Sequence, residues 1–366
     1  MSLSPNMTPP LLEAFHRYRE AGIEDQVDYQ KFHLYSIITH STAIEGSTIT
    51  ELENQLLFDE GITVAGKSML EQLMNLDLKK AYEYSMDAAL RHIPITVDFL
   101  CHLSSLVMSH TGSEYNTPLG SFSASKGDLR LVNVSAGVGG RSYLSFQKVP
   151  SHLEQFCQQL NRQRESVDKS DIQALYNLSF DAHYHLVTIH PWVDGNGRMS
   201  RLLMNHLQFE FNLVPTRIPT HCKKEYIQAL EETRKQENIE IFRRYMSDLQ
   251  TRIMLEDLNQ YESSIDKSPL WADLTSNPTN DLENDLENDL EKLSSNQQKI
   301  IQLVAANPYI TQQQLSHQVG ISPKNIRLNM ARLKSLGLLR RIGPDKGGHW
   351  VVKNHPINEY SRISNN

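Results

Sequence analysis

The stretch HPWVDGNGRMSR, residues 190–201, limits the fold more than any other part of this chain. Apolar residues on both sides of it recur every three or four positions, which is the period of one helix face. They are Ile172, Leu175, Leu178, Ala182, Leu186 and Ile189 before it, and Leu202, Leu203, Leu207 and Phe211 after it. Pro191 disfavours helical geometry at His190 and ends the first helix. We therefore predict a mainly α fold in which residues 190–201 join two helices.

The glycines and arginines of this loop predict an anion site where the second helix begins. A helix N-terminus presents unpaired N–H groups and partial positive charge, and Gly195, Asn196 and Gly197 let the backbone curl around an anion. Arg198 and Arg201 share a face of the first turn, where cations oppose the helix dipole by about 0.3–1 kcal/mol each. Two unfavourable residues at one place indicate a compensating anionic ligand.

Asp194 and His190 complete the pattern. Asp194 offers the oxygen ligand that Mg²⁺ prefers, and Mg²⁺ commonly bridges a carboxylate to substrate phosphates. His190 titrates near neutrality and is suited to take a proton from a hydroxyl. Each residue alone also fits a plain turn with solvated arginines and a packed histidine, but the combination favours a phosphate-transfer site.

The stretch resembles the signature of Fic-domain proteins, H-P-F-x-[DE]-G-N-G-R-x-x-R, with Trp192 in place of the usual Phe. Weaker similarity extends over roughly residues 30–250. The resemblance implies a Fic-type helical core with a β-hairpin flap. It also implies transfer of AMP from ATP to a hydroxyl side chain of a target protein.

The resemblance gives each residue of the loop a role. His190 would be the catalytic base that deprotonates the target hydroxyl, and Asp194 would hold Mg²⁺ on the α- and β-phosphates. The glycine-rich amides, together with Asn196 and Arg198, would hold phosphate oxygens, and Arg201 would orient the γ-phosphate. This agrees with the chemistry, because phosphate-group transfer needs positioning and charge neutralisation more than an enzyme nucleophile.

Residues 130–146, RLVNVSAGVGGRSYLSF, contain two β-prone runs around a glycine-rich turn and predict a β-hairpin. A purely structural hairpin is equally compatible with this pattern. In Fic-domain proteins the hairpin is a flap that aligns a target segment as an added strand, through main-chain hydrogen bonds. By this resemblance, the candidate target-binding edge is Leu131, Val132, Asn133 and Val134.

The segment KKEYIQAL resembles the place where many Fic proteins have two tyrosines that contact adenine. Tyr226 fits the first position, whereas Ile227 departs from the second, and Arg234 lies near the place of a family asparagine. Tyr226 is therefore either a nucleotide-binding residue or a core residue.

The segment HSTAIEGS, residues 40–47, places an acid at the end of a helix. Ser41 can cap a short helix and Gly46 suits its left-handed exit, so Glu45 lies where negative charge is disfavoured. An exposed glutamate alone needs no explanation. However, the segment resembles the inhibitory motif [ST]-x-x-x-E-[GN] of some Fic proteins, which implies that Glu45 pairs with Arg201. A bidentate contact would occupy this arginine and restrain the enzyme.

Two further patterns lack the context that their chemistry needs. GITVAGKS, residues 61–68, matches a phosphate-binding loop, but such a loop follows a buried strand, and the preceding TELENQLLFDE is polar and helical in character. His183 and His185 suggest a metal cluster with His190. Residues two apart do not share a helix face, so we expect one packed and one solvated histidine.

Charge divides the chain into unlike parts. Residues 293–353 contain nine Lys or Arg and one Asp, although the whole chain has a net charge of -7. Before them, the repeated unit DLEN predicts a solvated linker. The predicted domains are an N-terminal helical region at 1–110 with the inhibitory helix near 40–46, a Fic catalytic core at 111–260, an acidic linker at 275–293 and a winged-helix domain at 294–355.

The C-terminal region predicts a winged helix-turn-helix domain, which it resembles in general pattern. Three helical patterns, with a capping box at Thr311 and Gln314, precede two β-prone runs around GPDKGG. In such domains the third helix enters the DNA major groove. The candidate DNA-binding residues are Lys324, Asn325, Arg327, Arg332 and, on the wing, Lys346. The alternative is a protein-binding domain that delivers the enzyme to its target.

Composition and cysteine use predict a soluble cytoplasmic protein. Hydrophobic residues make up 39% of the chain and charged residues 22%, with no apolar run of about 18 residues for a membrane span. Three distant cysteines argue against disulfides, and the N-terminus lacks the pattern of a signal peptide. We expect ATP and Mg²⁺ as substrate and cofactor, and a target protein with Ser, Thr or Tyr. DNA and a second copy in a homodimer are further candidate partners.

Two rival functions follow from the same residues. One is a transcriptional regulator whose Fic-like core senses nucleotide without transferring it. The other is a Fic enzyme that uses another phosphate-containing donor, because the motif binds phosphates and does not specify the rest of the donor. The presence of both His190 and Asp194 favours an enzyme.

Overall fold

The computed structural model describes residues 10–25, 29–136, 142–266, 295–308, 310–321, 323–335, 338–342 and 349–352. The chain divides into two compact units, residues 1–265 and 266–366. Helices dominate both units, as the sequence predicts. None of the helices in these ranges is long and apolar enough to cross a membrane. The predicted acidic linker, 275–293, lies outside the described residues.

The described part of the first unit contains ten α-helices. They are α1 (Pro10–Glu20), α2 (Tyr29–Ile44), α3 (Glu51–Asp59), α4 (Met69–Leu90), α5 (Val97–Val107), α6 (Val149–Ser166), α7 (Ile172–Ile189), α8 (Asn196–Glu210), α9 (Lys223–Gln236) and α10 (Ile239–Asp266). Helices α7 and α8 pack against each other at the centre. Every residue of α8 from Arg198 to Gln208 is buried, so the other helices enclose it.

Several buried polar side chains of α8 find hydrogen-bond partners in neighbouring segments of the chain. Tyr82 donates a hydrogen bond to Asn205 Oδ1 at 2.7 Å. Gln208 donates to Ser179 Oγ and accepts from the main-chain N–H of Thr216. These bonds fix the rotation of α8 about its axis, and with it the directions of the functional residues in its first turn.

A two-stranded antiparallel sheet, β1 (Glu114–Thr117) and β2 (Gly120–Ser123), was not predicted. Its turn is Pro118–Leu119, which lacks the Asn-Gly or Asp-Gly signature of tight hairpins. Within the predicted hairpin at 130–146, the described residues contain one antiparallel bridge, between Ser135 and Ser142. Residues 137–141, which include most of its glycine-rich turn, lie outside the described ranges.

The second unit has the predicted order of three helices and a hairpin. It consists of α11 (Ser295–Ala306), α12 (Gln312–Val319), α13 (Pro323–Ser335), β3 (Leu339–Ile342) and β4 (His349–Val352), with β3 and β4 antiparallel. The capping box of Thr311 and Gln314 is present, and Gly320 ends α12 in the left-handed region at φ 81°. Ile300, Leu315, Ile326, Leu333 and Trp350 are among the residues that form its core.

Four of the five candidate DNA-binding residues lie on α13. Asn325 and Arg327 are exposed on α13. Lys324 and Arg332 belong to the same helix, but their side chains lie outside the described part of the structure. Lys346, on the predicted wing, lies outside the described residues altogether.

Candidate functional site

The loop between α7 and α8 is held in one conformation by two residues. Trp192 is 1% exposed, and its indole N–H donates a hydrogen bond to Gly127 O at 3.0 Å. The side chain of Asn196 accepts from Trp192 N and donates to Trp192 O, at 3.1 and 2.8 Å. Asn196, predicted to hold phosphate oxygens, therefore uses its amide group to close the loop and offers its main-chain N–H to the anion site.

His190 follows the last residue of α7 in the left-handed conformation, at φ 54°, as expected for a helix that ends before Pro191. Its Nδ1 lies 3.2 Å from Val187 O. Because a carbonyl oxygen can only accept, Nδ1 carries the proton and Nε2 keeps its lone pair. Burial lowers the pKa of His190 to about 4, so the imidazole is neutral at pH 7. A neutral imidazole with a free Nε2 can act as a base.

Arg130 joins this loop to the flap, and nothing in the sequence pattern indicated it. It is 1% exposed and donates hydrogen bonds to the carbonyls of His190 and Val132, both at 2.8 Å, and to that of Leu144. Its own main-chain N–H donates to Pro191 O at 3.1 Å. One buried guanidinium thus fixes the main chain of the base relative to both sides of the flap.

The start of α8 presents an anion site. Gly195 precedes the helix at φ 80°, and the first hydrogen bond of the helix runs from Met199 N to Gly195 O. The N–H groups of the three residues between them therefore have no partner within the helix. A Cβ at Gly197 would lie 2.6 Å from Glu45 Oε1 and 3.1 Å from Arg201 Nη1. The carboxylate of Glu45 thus lies against this helix end, where an anion is favoured.

Arg201 is buried, and α2 together with Glu45 supplies its partners. Nε donates to Ser41 Oγ at 2.9 Å, and Nη2 donates to Ser41 O at 3.0 Å and to Glu45 Oε1 at 2.6 Å. The predicted bidentate carboxylate contact is therefore wrong, because Ser41 takes the second side of the guanidinium. Ser41 lies in the last turn of α2 and does not cap a short helix, whereas Gly46 has the predicted positive φ, 107°.

Electrostatics agree with an ionised contact between Glu45 and Arg201. Burial alone would raise the pKa of Glu45, but the charge and hydrogen bond of Arg201 outweigh it and lower the net pKa below its usual range. Burial alone would lower the pKa of Arg201, but Glu45 reverses this and raises it. The side chain of Glu45 keeps 35% of its surface exposed, so its removal would not open a large cavity.

Asp194 lies just before the start of α8 and Arg198 lies in its first turn. Arg198 is buried, with Nη1 3.4 Å from Val107 O and Nη2 3.1 Å from Met108 Sδ. Its buried Nε has no partner among the described residues. The Asp194 side chain is 63% exposed and 3.8 Å from Arg198. A buried donor without a partner beside an exposed carboxylate suits a phosphate oxygen.

The residues also fit a magnesium ion held mainly by phosphates. No group of three or more His, Cys, Asp or Glu that could bind a metal occurs among the described residues. Mg²⁺ in phosphate-transfer sites commonly takes one or two carboxylates and completes its shell with water and substrate oxygens. The exposed carboxylate of Asp194, beside the open amides of α8, provides one such ligand.

The candidate target-binding edge lies beside this loop. Leu131, Val132 and Val134 are half-buried and Asn133 is exposed. Arg130 bonds the carbonyl of Val132, and Tyr143 N–H donates to that of Val134 at 3.0 Å. In the described part of the chain, the main-chain groups of Leu131 and Asn133 have no such partners.

Tyr226 belongs to the core, the second of its two predicted interpretations. It is 1% exposed, and its hydroxyl lies 2.8 Å from His183 Nε2. His183 is fully buried and burial lowers its pKa to about 3, whereas His185 is exposed. The prediction of one packed and one solvated histidine is confirmed. Together with Glu45, Tyr226 contributes to raising the pKa of Arg201.

Residues 61–68, which match the phosphate-binding loop pattern, lack the preceding strand that such a loop needs, as the sequence predicted. It follows helix α3, and Ser68 forms the N-terminal cap of α4. Lys67 Nζ donates to Thr48 O at 2.6 Å, and Glu71 accepts from Thr48 N at 2.6 Å. These two side chains fix the segment that follows Glu45.

Two parts of this chain match known family models. The Fic/DOC family model matches residues 94–208, and the model for winged helix-turn-helix DNA-binding matches residues 293–340. "Protein adenylyltransferase Fic" of Drosophila melanogaster is 32% identical over 194 residues, which are 53% of this chain and 36% of that protein. Its counterpart in Drosophila erecta is 30% identical over 220 residues, or 60% and 40% of the two chains. The chain thus spans little more than a third of the length of these relatives.

Solved structures show the same fold. "Fic-1 (aa134 - 508) from C. elegans" aligns with a TM-score of 0.56 at 20% identity, over 70% of this chain and 72% of that one. A Fic family protein from Desulfovibrio desulfuricans G20 aligns with a TM-score of 0.53 at 16% identity, over 97% and 99% of the two chains. At such identities the likeness concerns the fold alone.

Proposed function

The chain contains a Fic domain over residues 94–208, and from this premise we propose that it is a protein adenylyltransferase. The proposed reaction transfers AMP from ATP to a hydroxyl side chain of a target protein. The observation that carries it is the convergence on one helix start of a neutral imidazole, three open main-chain amides and the guanidinium of Arg201. The names of the fly relatives support AMP as the transferred group.

In this mechanism Nε2 of His190 takes the proton of the target hydroxyl, whose oxygen then attacks the α-phosphorus. The bond between the α-phosphorus and the bridging oxygen breaks, and pyrophosphate leaves. Because the target oxygen attacks directly, the enzyme itself forms no covalent bond. The open amides of α8 and the unpartnered Nε of Arg198 stabilise the charge that develops on the phosphate oxygens. Mg²⁺, held by Asp194, would neutralise charge on the phosphates. Arg201 would bind the end of the triphosphate.

We further propose that Glu45 inhibits the enzyme. Its carboxylate bonds Arg201 and lies against Gly197, so it competes for both groups with a phosphate oxygen. A triphosphate that binds beside it would be displaced from the geometry needed for in-line attack. The support for this proposal is the hydrogen bond of 2.6 Å and the close approach to Gly197.

The flap provides a target-binding edge in the same proposal. Alternate main-chain groups at Leu131 and Asn133 are without partners among the described residues, which suits the addition of a strand. Because main-chain bonds make little demand on sequence, specificity would come from the side chains on either side. The modified residue is a Ser, Thr or Tyr hydroxyl.

We propose DNA binding for the second unit. The support is the match to a DNA-binding helix-turn-helix model and the exposed Asn325 and Arg327 on α13. A mobility-shift titration should give an affinity that falls steeply between low and moderate salt, because phosphate contacts release counterions. A salt-independent affinity would favour a protein partner.

The central experiment is mass spectrometry of the full chain and its Glu45→Gly variant after incubation with ATP, Mg²⁺ and a cell lysate. We expect an AMP adduct on the variant or on a lysate protein, and none with Glu45→Gly/His190→Ala. An adduct of UMP, phosphate or phosphocholine, each offered as its donor, would reassign the reaction. Nucleotide binding without any adduct would favour a nucleotide-sensing regulator.

A further inference from the structure

Three side chains, one of them the proposed base His190, form a stack. The rings of Tyr143 and His190 lie 3.8 Å apart between centroids, at an interplanar angle of 18°. Cζ of Arg234 lies over the same Tyr143 ring, 4.9 Å from its centroid. Arg234 comes from α9, Tyr143 from the flap and His190 from the end of α7, so the stack joins three separate elements.

The stack limits the movement of the imidazole. One edge of the ring is fixed by the contact of Nδ1 with Val187 O, and the His190 carbonyl by Arg130. Neither contact stops the ring from swinging out of its plane. Tyr143 covers one face of the imidazole at stacking distance, and Arg234 holds Tyr143 through a cation–π contact. Rotation towards the flap would have to displace both.

Tyr143 is also bonded directly to the candidate target-binding edge. Its main-chain N–H donates to Val134 O at 3.0 Å, and Val134 is the last residue of that edge. A strand that pairs with the edge would order the segment whose hydrogen bond fixes the backbone of Tyr143. Target binding and orientation of the base therefore depend on the same residue.

We propose that Tyr143 is a positioning residue, whose aromatic face holds the His190 imidazole with Nε2 directed at the target hydroxyl. This inference rests on the proposed AMP transfer. The ring alone supplies the contact, so a phenylalanine should replace it, whereas a side chain without a ring should not. Arg234 acts one layer further out, and its loss should have a smaller effect in the same direction.

The kinetic test compares Tyr143→Phe and Tyr143→Ala in the Glu45→Gly background, with AMP transfer measured at varied ATP. We expect kcat to fall about tenfold in Tyr143→Ala, with the KM for ATP unchanged, and to stay within twofold in Tyr143→Phe. Full activity of Tyr143→Ala, or an equal loss in both variants, would overturn the proposal. Equal thermal midpoints would exclude misfolding as the cause.

A second measurement does not depend on AMP transfer. Diethyl pyrocarbonate acylates accessible neutral imidazoles, and peptide mass spectrometry reports the rate at each histidine. His190 should react several-fold faster in Tyr143→Ala than in Tyr143→Phe or wild type, whereas the exposed His110 serves as an internal reference with a constant rate. An unchanged rate at His190 would refute the positioning role of Tyr143, even if AMP transfer were observed. Absence of transfer with a changed rate would instead refute the proposed function.

Discussion

Removal of the Glu45 carboxylate is the change whose effect the structure predicts most directly. Glu45 makes one hydrogen bond of 2.6 Å to Arg201, between charged groups. Hydrogen bonds to charged groups contribute about 1.5–3 kcal/mol. Because Glu45 is 35% exposed, solvent weakens the interaction, and we take the lower end of this range. At about 1.4 kcal/mol per factor of ten, Glu45→Gly should raise the rate of AMP transfer about tenfold.

The assay is the initial rate of incorporation from α-labelled ATP, with Mg²⁺ in excess, into the chain itself or a lysate protein. Glu45→Gln should be intermediate, because an amide oxygen still accepts from Arg201 but carries no charge. Glu51→Gln is a matched control. Glu51 accepts a hydrogen bond from Ser36 and lies close to His40, both on α2, the helix that leads to Glu45. It does not contact Arg201. This variant should leave the rate unchanged.

Two results would refute this reasoning. Equal rates for Glu45→Gly and wild type would mean that the contact does not limit AMP transfer. An equal rise in Glu51→Gln would mean that loosening of α2, and not release of Arg201, activates the enzyme. The affinity of each variant for ATP, measured by calorimetry, shows whether a faster rate reflects only tighter ATP binding.

Further predictions concern the base, the anion site, the metal and the inhibitory segment. Because the pKa of His190 is about 4 and a base must be neutral, kcat/KM should be flat from pH 6 to 8 and fall only as the pH approaches 4; an acid limb near pH 6.5 in the pH–rate profile would contradict this. Gly197→Ala should weaken ATP binding in calorimetry, since its Cβ would lie where an anion approaches the helix; unchanged affinity would argue against the site. Asp194→Asn should abolish the rise in transfer rate with added Mg²⁺, and a preserved Mg²⁺ response would assign the metal elsewhere. Lys67→Met removes one of the two side chains that bond Thr48 and should raise basal transfer by less than Glu45→Gly does, whereas no change would show that Lys67 does not support the inhibitory segment.

Local signals in the sequence predicted the helices on both sides of the loop and the left-handed residue Gly46. Each rests on a few neighbouring residues, because a proline, a glycine or an apolar period acts on the backbone beside it. The contact between Glu45 and Arg201 was predicted from a family resemblance, and its partners are 156 positions apart. The predicted bidentate geometry of this contact was wrong, because the sequence does not show that Ser41 also bonds the guanidinium.

The parts that sequence did not predict depend on long-range contacts. Arg130 is a single charged residue at the start of a β-prone run, and only the fold brings it to the carbonyl of His190. Tyr143 and Arg234 are similarly ordinary in sequence and meet only through the flap and α9. The sheet of β1 and β2 has no recognisable turn signature, so tertiary contacts decide its formation.

The bonds of Arg130 suggest how a chain of this kind can acquire new targets over evolutionary time. Its guanidinium ties the loop that carries His190 to both sides of the flap, through the carbonyls of Val132 and Leu144. Under the proposed function, substitution of the exposed Asn133 would alter which proteins are recognised, while these bonds keep the imidazole in place. Selection can therefore act on recognition and on chemistry as separate traits, because a single buried cation keeps the two parts of the site in register.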